Sequence, residues 1–243
     1  MKTLKKVLCL VLALVMVVGT LAVAAFADDD ALAAFTDADK AGTHKTAVEV
    51  NVNLGTIAGK SSTELGLDEN LTRAQAATII ARLMLGDTRA KQLKAESDPF
   101  DDVKADAWYA GYVSFAADKG ILLGVGNGNF EPNNNLTGAA FAKMLIQALG
   151  YGWKEDKDKN IVGVYGGSTW AFDVEDDARA LGLLANLADV TVFNGDITRA
   201  QAMEMLFNAL KVDNTVPHGT SDALQPQGYN KAYTIDEVKG STD

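Results

Sequence analysis

Cysteine and histidine are nearly missing: Cys9, His44 and His218 are all there is in 243 residues. A disulfide framework and a Cys/His zinc cage are therefore both excluded. Basic residues are in deficit, with 22 Lys and Arg against 32 Asp and Glu, and aromatics reach only 7%. A net charge of −10 argues against nucleic acid held on a broad basic face. The sequence shows no Ser or Cys elbow, no second histidine in reach of His44 and no paired carboxylates at a recognisable spacing, so no catalytic constellation is visible. What is present is apolar material, 48% of the chain, enough for a folded core and against wholesale disorder.

The first segment reads as an address. Lys2, Lys5 and Lys6 precede an apolar run from Val7 to Val18, and Ala25-Phe26-Ala27 stands before Asp28-Asp29-Asp30. Charge, apolar run and A-x-A in that order predict a secretory signal peptide over 1–27, removed by a peptidase; an uncleaved anchor is the alternative. Contact with the membrane is then transient, and Cys9 leaves with the leader. Removing its three lysines leaves 19 basic against 32 acidic residues and no cysteine. A cysteine-free exported chain is stabilised by packing rather than by covalent staples.

Internal repetition dominates the remainder. Phe35 to Gly86 overlays Phe100 to Tyr151 at an offset of 65 without a gap, bringing Phe35-x-Asp37 onto Phe100-x-Asp102 and Leu71-Thr72 onto Leu136-Thr137. A third copy follows at offsets of 62 and then 61, where Trp170 meets Trp108, Gly182 meets Gly120 and Ile197-Thr198 meets Leu136-Thr137. Each copy reads as helix, loop, helix. Ala107 to Lys119 carries Trp108, Tyr112, Phe115 and Ala116 at helical spacing and stops at Gly120. Gly124 to Asn135 is turn chemistry, and Thr137 opens a second helix with Phe141, Leu145 and Ala148 on one face. Helices this short are marginal alone, so the copies must bury their faces against one another.

The unit running from Phe100-Asp101-Asp102-Val103 through Trp108, Tyr112, Gly120, Gly124, Phe130 and Pro132 to Leu136-Thr137 resembles an S-layer homology repeat. Thr72-Arg73-Ala74-Gln75 and Thr198-Arg199-Ala200-Gln201 resemble that family's Thr-Arg-Ala-Glu signature, with Gln for Glu. The resemblance implies an all-α module of three repeats in a pseudo-threefold bundle, at 28–86, 87–151 and 152–212, followed by a linker or tail over 213–243. It further implies an exported protein held at the cell wall by secondary cell-wall polysaccharide, often pyruvylated in the family, in grooves between repeats. On that reading the glycan contacts fall to Arg73, Arg199, Trp108, Trp170, Thr72, Thr198, Asp102 and Gly124.

The same residues have plainer readings. Thr72 with Gln75 and Thr198 with Gln201 form capping boxes without any ligand. An arginine in the first helical turn opposes the macrodipole, whereas helix-start amides beside a guanidinium make an anion site suited to a carboxylate. The alternative for each arginine is a local acid. Trp108 and Trp170 read first as core anchors and second as sugar platforms. Repeat two has Gly138 in place of the arginine and Ala140 in place of the amide, so its capping box is lost. Repeat one has Thr43 in place of the tryptophan, and His44, aligned with Tyr109, reads as a surface substitution. Grooves between neighbouring copies could still unite a Trp from one with an Arg from another.

Asp101, Asp102 and Asp106, and the run Asp156 to Asn160, read as solvated loop acids. The latter lacks the glycine and glutamate of an EF-hand, and Gly124 to Gly128 follows a helix and is no dinucleotide loop. No metal or cofactor is expected. Two rivals to glycan binding are self-association or docking at the cell surface, and an anchor for a catalytic part beyond Asp243. The weak alternation from Tyr229 to Ile235 allows a short strand.

Overall fold

A computed structural model describes residues 32–158, 161–187 and 193–212. The leader with Cys9, the tail from 213 with His218 and the strand expected at Tyr229 to Ile235 lie outside the described residues. Six helices form three successive pairs: α1 (Lys45–Asn53) with α2 (Arg73–Leu85), α3 (Ala110–Asp118) with α4 (Gly138–Ala148), and α5 (Trp170–Ala180) with α6 (Arg199–Ala209). The chain is mostly helical. Its one described sheet is a hairpin, β1 (Trp153–Glu155) antiparallel to β2 (Ile161–Gly163), which the expectation of an all-helical unit did not include.

The second helix of each pair starts on a threonine. The Thr72 and Thr198 hydroxyls accept from the Gln75 and Gln201 amides, and each glutamine side chain accepts from its threonine's own N–H. Thr137 accepts from Ala140 N, but Ala140 has nothing to reach back with. Such caps contribute about 1 kcal/mol each. The first helices end differently: Gly55, Gly120 and Gly182 stand at φ 68°, 70° and 73°, the left-handed conformation that side chains resist.

Packing between pairs is interleaved. α2 packs on α3, α4 on α5 and α6 on α1, so each second helix meets the first helix of the following pair and the last returns to the first. At the centre, the residues before the three threonines form a closed ring of backbone bonds. Leu71 N donates to Ile197 O at 2.8 Å, Ile197 N to Leu136 O at 3.0 Å and Leu136 N to Leu71 O at 2.8 Å. All three side chains are buried. Single bonds of this kind contribute only about 1 kcal/mol net, but left unmade in this interior they would each cost more.

The loops between paired helices are held from within. The Asp37 carboxylate accepts from the amides of Leu65, Gly66 and Leu67, and that of Asp102 from Phe130 and Glu131. Burial pushes the Asp37 pKa up, yet its backbone hydrogen bonds outweigh this and hold it below the usual carboxylate value. At Gly124 a Cβ would stand 2.7 Å from Asn129 O and 2.9 Å from the Phe100 ring, so only glycine lets the loop close.

One helix is shorter than the spacing predicts. Residues 104–110 wind as tight turns before α3 begins, and the core face of that helix is built by Ala110, Val113 and Ala116. Trp108 falls outside the helix and is 64% exposed, which corrects the reading of this side chain as a core anchor. Trp170, at the start of α5, is half-buried against the core.

Candidate functional site

Each arginine of the Thr-Arg-Ala-Gln segments is set at the first position of its helix by the threonine cap, and from there it reaches into another pair's loop. Arg199 is 4% exposed; its Nε donates to Leu65 O at 2.8 Å and Nη2 to Ala58 O at 2.9 Å. Arg73, on the first pair, does the same in the second pair's loop, with Nε to Phe130 O at 2.7 Å and Nη2 to Leu123 O at 3.0 Å, its guanidinium lying 4.6 Å from the Phe130 ring centroid. Burial lowers both pKa values, opposed by Glu69 and Asp37 around Arg199 and by Glu131 and Asp102 around Arg73. Both remain cationic, since guanidinium does not titrate in proteins. Both guanidinium groups donate to carbonyl oxygens, so the expected alternative of a local acid partner is not what holds them.

The helix-start amides do not form the anion site that was expected. Arg73 N and Ala74 N donate to Asn134 O and Pro132 O, and Arg199 N and Ala200 N to Glu69 O and Leu67 O. Neighbouring loops have used these donors to tie the pairs together. Any anion recognised here must be met by side chains.

Two grooves follow from this arrangement. The larger, about 440 Å³, is lined by Arg199, by Ile57 to Lys60 of the first loop, by Gln75, Thr78, Ile79 and Arg82 of α2, and by Trp108. The smaller, about 160 Å³, is lined by Arg73, by Ile121 to Leu123 of the second loop, by Ala140, Lys143 and Met144 of α4, and by Trp170. At the repeat offsets most of these positions correspond. Each groove gathers an arginine from one copy, a loop and helix from the next, and a tryptophan from the remaining one. The structure thus brings Arg199 with Trp108, and Arg73 with Trp170. Thr72, Thr198 and Asp102 act as caps of helices and loop, and Gly124 as a point of close backbone approach.

The grooves differ in their floors. Thr78 of the first corresponds to Lys143 of the second, whose Nζ donates to Tyr165 O at 3.2 Å and sits 5.5 Å from the Trp170 ring centroid. Burial pulls the Lys143 pKa down. Tyr165 follows the hairpin and is anchored by a 2.7 Å bond from its hydroxyl to buried Asp177.

The third seam carries Gly138 for arginine, and the position of Thr78 and Lys143 is Glu204. Its carboxylate is buried, accepting from Asn186 Nδ2 at 3.1 Å and facing His44 Nδ1 at 3.1 Å. His44 is therefore no plain surface substitution: its side chain is 15% exposed and joins the first copy to the last.

Sequence reasoning passed over Lys60, Thr78, Arg82 and Lys143. The signal for two of them was available, because Gln75, Thr78, Ile79 and Arg82 fall on one face of α2 at helical spacing. Asp101 and Asp106 join no cluster: among the described residues no group of three or more His, Cys, Asp or Glu gathers as a metal would need. No described helix is long and apolar enough to cross a membrane.

Comparison with known proteins gives this geometry a context. The family model of the S-layer homology domain matches residues 99–142, the copy running from Phe100 into α4. The "Middle cell wall protein" of Brevibacillus brevis is 32% identical over 194 residues, 80% of this chain and 17% of that protein. A "Cell surface protein" of Thermoanaerobacter kivui is 31% identical over 87% of this chain and 25% of its own length. The "Surface layer protein" of Brevibacillus choshinensis is 35% identical over 62% of this chain and 13% of its own. The chain thus spans a quarter or less of the length of these three relatives. Family and relatives place it outside the cell, at the surface or wall, and residues 99–142 carry an S-layer homology domain.

Proposed function

We propose that this chain is a non-enzymatic anchor, attaching an exported protein to the cell wall by binding secondary cell-wall polysaccharide in the seams between its repeats. Its leader over 1–27 directs export and is removed, and the repeats at 28–86, 87–151 and 152–212 form a pseudo-threefold bundle. The cyclic bonds among Leu71, Leu136 and Ile197 support that arrangement.

One observation carries the reading: two grooves in which a guanidinium and an indole from different copies converge on a wall of apolar and hydroxyl groups. An indole face suits the apolar side of a sugar ring, and a guanidinium suits a glycan carboxylate. Arg199, Trp108, Arg73 and Trp170 supply the contacts, with Thr72, Thr198, Asp102 and Gly124 shaping the backbone around them. A pyruvylated sugar is the ligand whose carboxylate these arginines would meet.

Replacing the arginines would also cut the seams, so tryptophan is the cleaner probe. Trp108→Ala should leave the fold intact and lower co-sedimentation with purified wall sacculi several-fold; unchanged retention would remove Trp108 from the site. A second reading, docking to surface protein, is favoured by exposed Leu123, Val125 and Phe172 at 63%, 50% and 68%. Hydrofluoric acid strips wall polysaccharide, so retention on treated walls would favour docking.

A further inference from the structure

The larger groove carries charge that the smaller one lacks. Its lining contains Lys60, Arg82 and Arg199 and no acidic residue, on a chain whose net charge is −10. Lys60 is spoken for, with Nζ held between both carboxylate oxygens of Glu69 at 2.5 and 2.6 Å. Arg199 donates to carbonyl oxygens alone. That leaves Arg82, on α2 one turn beyond Thr78, whose residue is 9% exposed and whose Nε is buried without a hydrogen-bond partner. That Nε makes a long ion pair, 3.4 Å to Asp87 Oδ1, while Lys91 takes the other oxygen of the same carboxylate. So long a pairing neutralises the Arg82 cation only weakly, and an anion in the groove that its guanidinium lines would add a charge-assisted bond.

The other copies do not repeat this feature. Arg82 falls on Gln147 at the first offset and Asn208 at the second. Asn208 spends its amide on Leu183 O and Ala185 O. The groove of Arg73 has Lys143 as its second cation, and that group is engaged by Tyr165 O and the Trp170 ring.

We propose that Arg82 is a second anion contact in the Arg199 groove, which therefore selects ligands presenting two acidic groups, while the Arg73 groove accepts one. This rests on the wall-glycan reading for its natural ligand, but its chemistry can be tested without the wall. The ligand class is a dianion, such as a sugar carrying two acid groups or two acidic substituents on adjacent sugars.

The full chain, labelled with nitrogen-15, would be titrated with acetate and with malonate at constant ionic strength, following the arginine Nε–Hε resonances. Arg82 and Arg199 should shift together on one saturable curve, with malonate about tenfold tighter than acetate, the effect of one added charge-assisted bond. Arg82→Gln, which installs the side chain of the second copy, should reduce that preference to about twofold while the Arg199 response persists. Arg82→Lys, keeping the charge, should retain most of it. A silent Arg82 resonance beside a moving Arg199, or an undiminished malonate preference in Arg82→Gln, would overturn the proposal. The resonance test on the unaltered chain keeps it falsifiable even if Arg82→Gln fails to fold. Failure of the anchoring reading looks different: the chain would ignore wall sacculi while Arg82 still answered malonate.

Discussion

Among the described residues two seams set an arginine beside a groove and the third sets a glycine at that place, all from corresponding positions. At the first two a buried arginine bridges to the next loop's carbonyls and leaves a groove beneath a tryptophan. At the third seam a glycine replaces that arginine, and Glu204, bonded to His44 and Asn186, stands at the position of Thr78 and Lys143. Repetition of a backbone therefore does not entail repetition of a site. A few side chains replace an arginine beside a groove by a polar clasp.

The comparison can be broken most forcefully at Arg199. Arg199→Ala deletes two buried charge-assisted bonds and strands two carbonyls, at a cost of about 3 kcal/mol. Arg73→Ala, at a half-buried position, should cost roughly half as much. Denaturant unfolding of both variants measures the difference, and equal midpoints would show the two arginine seams to be energetically alike. Next in size is Glu204→Ala, which removes the acceptor of Asn186 and the partner of His44, with an expected loss of about 2 kcal/mol. Its wall retention should be unchanged, because Glu204 lines neither described groove; reduced retention in a still-folded variant would make the third seam a site after all.

Acid sharpens the contrast between loop and seam. Asp37 has a depressed pKa in the fold, so its contribution to stability is present above the unfolded value of about 4 and is lost as pH falls through the lower folded value. Asp37→Asn should cost about 1 kcal/mol at neutral pH and flatten the stability profile below pH ~4. A profile unchanged in that window would remove Asp37 from the acid response. The smallest effect belongs to Trp108→Ala, within about 0.5 kcal/mol in stability because the ring lies mostly in solvent. A larger loss would restore the core reading.

Much of the helical framework was legible. Threonines 72, 137 and 198 mark three helix starts, two of them with the Gln that completes a box, and glycines 120 and 182 mark ends. These are local signals, written within four residues of where they act. The meeting of Arg199 with Leu65, 134 positions away, is not local. Nothing near Arg199 says that its guanidinium will find carbonyl oxygens, or that the adjacent amides will be consumed by the neighbouring loop. Trp108 misled because helical spacing was extended a turn too early, through residues that wind tightly before α3. The hairpin at Trp153 to Gly163 was obscured by its acidic turn, which reads as loop; there Asp156 accepts from the Asp158 amide. Glu204 and His44 looked unremarkable because each makes sense only beside the other.

The triangle of backbone bonds at Leu71, Leu136 and Ile197 has an implication for how such a chain can grow. An open stack of repeats accepts another member at either end, since its terminal units keep a free face. Here the final member's donor and acceptor are both taken, one by its predecessor and one by the first. Adding a copy by duplication would find no vacancy, and deleting one would orphan an amide and a carbonyl in the interior. Membership is limited by closure, so a larger protein can enlarge this unit only by appending material outside the circle.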